Sequence, residues 1–195
     1  MTQRVSFPKE TVVDAAFLLT RERGWAAVTA RNIAQKLSSS TMPIYSSLKS
    51  MNEIESQVRQ RAEKLLLEYQ KRPYTDDVAL NGALGYVMFA RDERNLFRFL
   101  YEDRPVRTNR KKAARHVRVA PADVAAGKIM VNLVDQVPVA MRDPRILKTW
   151  IFTHGLASMI ASGVLDLDDE TIRSLLAEAG GAFFEERFFT KERKK

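Results

Sequence analysis

The residues able to do covalent or metal chemistry are few. Cysteine is absent, and histidine occurs only at His116 and His154. No thiolate nucleophile, thiolate zinc site, iron–sulfur cluster or disulfide can be built. Two distant imidazoles supply neither an HExxH site nor a structural zinc cluster. Asp166, Asp168 and Asp169 crowd together, but at a predicted helix start, where capping and the helix dipole account for them. No Gly-rich phosphate loop and no nucleophile–base arrangement is visible. The expectation is a protein that is not an enzyme and carries no cofactor or metal.

What remains is chemistry suited to phosphate. The 195 residues hold 32 Lys+Arg against 24 Asp+Glu, a formal charge of +8. Such a balance favours a polyanionic partner, although it speaks to association and not to fold. Hydroxyls and cations gather between Thr29 and Lys49. A second concentration lies between Asp103 and Val119, where seven bases (Arg104, Arg107, Arg110, Lys111, Lys112, Arg115, Arg118) meet no acid. This run reads as a solvated loop or a basic helical start, with a second nucleic-acid contact as the alternative.

Helical elements must position these groups. Val12, Ala15, Ala16 and Leu19 recur at i, i+3, i+4 and i+7, which puts them on one helix face. Gly24 stops that helix, because glycine adopts a positive φ at little cost. Thr29 caps a second helix that turns Ile33, Ala34 and Leu37 inward. The run Ser38-Ser39-Ser40 ends it, and Ser40 can cap a short third helix over 41–48, where Pro43 is tolerable in the first turn. Ser50-x-x-Glu53 forms a capping box for a long helix through Ile54, Val58, Ala62, Leu65 and Leu66, closed by Arg72-Pro73. Residues 75–101 read as one or two helices. Pro121 opens another through Ile129, Leu133 and Val137. Asp143-Pro144 begins the next, with Leu147, Trp150, Ile151, His154 and Ser158 as its pattern, and Gly163 ends it. Asp166 or Asp168 caps the last. The predicted class is all-α with about nine helices.

In the segment 9–55 the spacing Val12-x-x-Ala15-Ala16-x-x-Leu19, Gly24, Thr29-x-Arg31-x-Ile33-Ala34, Ser40-x-x-x-Ile44-Tyr45-x-x-Leu48-Lys49-Ser50, Glu53-Ile54 resembles the TetR family of bacterial transcription regulators in register and without a gap. The resemblance covers about a quarter of the chain. It departs at Ser38, where glycine is usual, at Leu48 for a phenylalanine and at Met51 for a lysine. A serine held at φ > 0 costs roughly 1 kcal/mol. The resemblance implies a helix-turn-helix DNA-binding domain over 1–50 and a ligand-binding and dimerisation domain over 51–195. It implies DNA contacts from Thr29, Arg31, Ser40, Thr41, Met42, Pro43, Tyr45, Ser46 and Lys49. Thr29, Tyr45 and Lys49 would meet the phosphate backbone, while Thr41, Met42, Pro43 and Ser46 would approach base edges. An arm contact through Arg4 or Lys9 is a further expectation.

The remaining roles are also implied by the resemblance. Part of the apolar content of the C-terminal domain would line an effector pocket: Leu84, Met88, Phe97 and Leu100, then Met130, Leu133 and Met141, with His154 as a polar contact. Plain core is the alternative for this set, and a satisfied core or interface histidine is the alternative for His154. Trp150, Ile151, His154 and Ser158 on one helix, with Ile172, Leu175, Leu176, Ala179 and Phe183 on the next, would form a homodimer interface. The expected partners are a pseudo-palindromic double-stranded DNA operator, a second copy and an unidentified small molecule. MTQRVSFPKE lacks the apolar core of a signal peptide and no stretch approaches a membrane span, so the expected place is the cytoplasm. The expected function is a DNA-binding regulator, a repressor released by a largely apolar effector. The alternative is a helical carrier or enzyme-like protein that keeps the fold without specific DNA binding.

Overall fold

A computed structural model describes residues 7–42, 44, 50–103 and 143–184. Among these residues there are seven α-helices and no strand: α1 (Lys9–Arg23), α2 (Ala30–Lys36), α3 (Met51–Gln70), α4 (Val78–Asp92), α5 (Arg94–Tyr101), α6 (Pro144–Ala161) and α7 (Asp169–Phe184). A 3₁₀ turn at Trp25–Ala27 follows α1. The predicted stretch 75–101 is two helices, broken at Glu93. Most of the predicted 41–48 helix, the basic run 104–118 and the helix opened by Pro121 lie outside the described residues. No helix among the described residues is long and apolar enough to cross a membrane.

Local signals set the helix ends. Gly24 (φ 81°) halts α1 and returns its N–H to Thr20 O. Thr29 Oγ1 accepts from Asn32 N at 3.1 Å, and Ser50 Oγ accepts from Glu53 N at 3.3 Å. Asp143 caps α6 by accepting from Arg145 N at 2.9 Å, with Pro144 at the tolerated first position. Asp168 caps α7 by accepting from Thr171 N at 2.7 Å. Gly163 (φ 77°) ends α6 while Val164 N reaches back to Met159 O, the hydrogen-bond pattern of a glycine C-cap.

The chain divides into two compact units, 1–65 with 93–106, and 66–92 with 107–195. The start of α3 and the whole of α5 belong with α1 and α2 in the first of these units. In the first unit Val12, Ala15, Ala16, Ile33, Ile44, Val58, Leu96 and Phe97 are buried together. Three polar ties hold α5 there. Glu93, which precedes its first residue and is itself buried, receives Arg21 Nε at 2.6 Å. Asn95 Nδ2 donates to Arg21 O at 3.0 Å. At the other end Arg59 donates to the carbonyls of Phe99 and Leu100 at 3.1 and 3.2 Å, with its guanidinium 4.5 Å from the centre of the Phe99 ring. Those carbonyls are among the orphans that a helix end must satisfy.

The second unit packs α4, α6 and α7 on one another. Leu84, Val87, Met88, Phe89, Leu156, Ile160, Ile172 and Leu176 form its interior. The end of α3 crosses α4 at Gly85, where an added Cβ would overlap Tyr69 O and Gln70 Cα. The inward face of α6 is Thr153, Leu156, Ala157, Ile160 and Ala161. It is displaced around the helix from the expected Leu147–Trp150–Ile151–His154–Ser158 pattern, and Ile151 is 57% exposed.

Two outcomes follow. Gly85→Ala forces backbone apart where neither side can yield, so it lowers stability by roughly 2 kcal/mol in urea unfolding. Arg145, first by its side chain and then by its backbone N–H, holds the Asp143 carboxyl below its ordinary 3.8. A depressed folded value means the contribution is present above the unfolded value and disappears as pH falls through the folded one. Asp143→Asn keeps a capping oxygen but no charge. It should lower thermal stability slightly at pH 7, where the charge contributes, and flatten its decline below pH ~4, so that the variant and the parent converge in acid.

Candidate functional sites

The candidate nucleic-acid surface is built around the end of α2. Its last turn closes with Leu37 N to Ile33 O at 3.0 Å, Ser38 N to Gln35 O at 3.1 Å and Ser39 N to Ala34 O at 2.9 Å. This is a Schellman arrangement, whose C′ position requires a left-handed residue. Ser38 occupies it at φ 52°, alone among the non-glycine described residues in having a positive φ. The strain expected at this serine is present.

Beyond the turn the chain alternates between anchoring and display. Ile44 is 1% exposed and Met42 is 69% exposed. Ile44 N donates to Thr41 O at 3.2 Å, and Ser40 and Thr41 are exposed. Thr29 and Arg31 are exposed on α2. The described members of the DNA-contact set, Thr29, Arg31, Ser40, Thr41 and Met42, thus all reach solvent. Pro43, Tyr45, Ser46 and Lys49 lie outside the described residues, as does Arg4. Lys9 is tied down more than expected: its Nζ pairs with Glu53 Oε1 at 2.6 Å. Glu53 thereby joins the first turn of α3 to the first turn of α1.

Of the expected effector residues, Leu84 and Met88 are buried in the second unit, and Phe97 and Leu100 are buried in the first. Met130, Leu133 and Met141 lie outside the described residues. His154 is half-buried. Its ring stacks on Trp150 at 5.3 Å and 8°, and its Nδ1 lies 2.9 Å from Tyr86 Oη. Sequence reasoning missed Tyr86 and Thr153. Tyr86 interrupts an apolar run without a periodic signal, and a single helical Thr has none, although its i+3 spacing from Trp150 places both on one face.

The expected interface residues differ in exposure. Ile172 and Leu176 are 0% and 5% exposed, and their side chains are spent on the protomer's own core. Leu175, Ala179, Phe183, Trp150, His154 and Ser158 are half-buried. The apolar groups that reach solvent on α6 are Ile151 and Met159, at 57% and 48% exposure, with Gly155 between them at the spacing of one helical stripe.

No group of three His, Cys, Asp or Glu side chains among the described residues could hold a metal ion. No family model matches the chain, and no curated protein matches it.

Ser38→Gly removes the left-handed penalty without touching a side-chain contact of the turn. It should raise stability in urea unfolding by about 0.5–1 kcal/mol, and Ser38→Val should lower it by more. A destabilising glycine would mean that the serine side chain, and not the turn geometry, sets the energy here.

Proposed function

We propose that the chain is a sequence-specific DNA-binding transcriptional regulator resembling the TetR family, a repressor released by a small, largely apolar effector. The observation that carries the reading is the display beyond α2. A buried Ile44 fixes the next helical turn to the core while Thr41 and Met42 project outward from it. In this reading α2 and the helix entered at Met42 are the two members of a helix-turn-helix, and the second lies in the major groove. An exposed thioether offers a flexible apolar contact to a partner surface. A thymine methyl is a fitting cover for Met42, and Thr41 can bond to a base edge or a phosphate.

Neither side chain makes a bidentate pair with guanine or adenine. Direct readout is therefore modest, and phosphate contacts and DNA shape carry the larger share. The net charge of +8 supports the phosphate share. Two copies, joined through α7 and the face of α6 that carries Ile151, Gly155 and Met159, would present two such helices to a pseudo-palindrome.

The reading is tested by titrating the protein onto its own upstream duplex and onto a scrambled duplex, each at two salt concentrations. Saturable binding to one duplex is expected, with affinity falling as salt rises and a preference over the scrambled duplex that persists at the higher salt. Equal binding to both, collapsing with salt, would leave only a phosphate interaction and overturn the specific-regulator reading. Met42→Ala should cut the preference for the specific duplex about fivefold or more while changing scrambled-duplex binding little, and Thr41→Ala should act similarly. If both variants bound with unaltered preference, this surface would not be the reading surface.

A further inference from the structure

We infer that the second unit binds an uncharged, largely apolar molecule bearing a carbonyl-type oxygen, and that Trp150 and Thr153 on α6 are its hydrogen-bond donors. The inference deepens the regulator reading by naming the class of effector, and it rests on that reading only for the effector's consequence at DNA.

Trp150 Nε1 and Thr153 Oγ1 are both buried at the atom, and neither has a hydrogen-bond partner. Thr153 as a residue is 1% exposed. A buried donor left unmade forfeits a hydrogen bond that water would have supplied, so native interiors rarely keep such a group without an occupant; Gln70 Oε1 and Tyr74 Oη are also buried without a partner in this unit, but they lie off α6. The two residues are three apart on one helix, which puts them on neighbouring positions of one face. Their neighbour His154 stacks on Trp150 and meets Tyr86 Oη at 2.9 Å. Imidazole and phenol therefore serve each other, and the indole and the threonine hydroxyl remain.

The chemistry of these groups limits what they can hold. An indole N–H only donates, so the occupant must accept. A hydroxyl can donate as well, and a carbonyl oxygen has two lone pairs, enough for both. The same face of α6 continues into Leu156 and Ala157, which are 7% and 0% exposed, so the body beyond the oxygen must be apolar. The buried polar side chains of this unit among the described residues are Gln70, Asn81 and Thr153. None of these carries a positive charge, and the neighbouring His154 already engages Tyr86 through Nδ1, so a carboxylate would be poorly compensated and is disfavoured. An ordered water could satisfy the same two donors and is the competing occupant.

The test reads the indole directly. Trp25 and Trp150 are the two tryptophans, so ¹⁵N-tryptophan labelling of the full chain gives two indole N–H signals, assigned with Trp25→Phe. Acetophenone is the probe, ethylbenzene the control of similar shape without an acceptor, and benzoate the charged control. Acetophenone should move the Trp150 signal downfield and saturate, leave Trp25 in place, and bind at least about fivefold more tightly than either control. Thr153→Val should weaken acetophenone binding about fivefold, and Thr153→Ser, which keeps the hydroxyl, should restore it. Equal titration by ethylbenzene, or no saturable movement, would assign the two donors to water and overturn the proposal. Neither assay contains the other's component, so failure here leaves the operator titration standing, and the reverse.

Discussion

The surface of the first unit depends on a single backbone conformation, the left-handed residue at Ser38. The turn returns three N–H groups to the last carbonyls of α2, and those bonds require a positive φ at that position. A serine pays roughly 1 kcal/mol to supply it. The return is directional: the chain leaves α2 so that Ile44 enters the core and Met42 stays in water. A shift of the turn by even one residue would take Ile44 out of the core and reorient the atoms offered to a partner. The strained residue and the exposed apolar residue thus belong to one arrangement, and strain concentrated beside a displayed surface is a frequent companion of function.

That arrangement is held from behind by α5. The helix is short, and its ends carry unsatisfied backbone groups. Arg59 satisfies two carbonyls at one end and Asn95 ties the other to α1, while the buried carboxylate of Glu93 is matched by Arg21. Removing one partner of such a pair leaves a charge in a poor solvent, which costs more than the pair contributes. The ties therefore act as a register device: α5 has one position against α1 and α3, and the apolar residues Leu96, Phe97 and Phe99 pack accordingly. The second unit solves a different problem. Its helices approach closely enough at Gly85 that no Cβ fits, while on α6 it keeps polar atoms inside that its own side chains leave unpaired.

The sequence by itself determined the helical class and the ends of the helices. Thr29, Ser50, Asp143, Asp168, Gly24, Gly163 and the turn at Ser38 were legible, because a cap or a stop is made by groups within about five residues of one another. The buried faces of α1 and α2 were legible for a related reason: only one side of each is apolar. Tertiary structure alone decided the rest. Helix α6 is apolar on two adjacent stripes, so periodicity could not say whether Ile151 or Thr153 faces inward; the partner surfaces of α4 and α7 choose. Helix α5 belongs with the first unit because Arg21 and Arg59, distant from it in sequence, capture its two ends. Ile172 and Leu176 are equally fit for a protomer's interior or for a neighbour, and burial assigns them to the interior. Apolar residues state that a surface must be covered, and the hydrophobic effect is indifferent to what covers it; that choice is made by contacts distant in sequence.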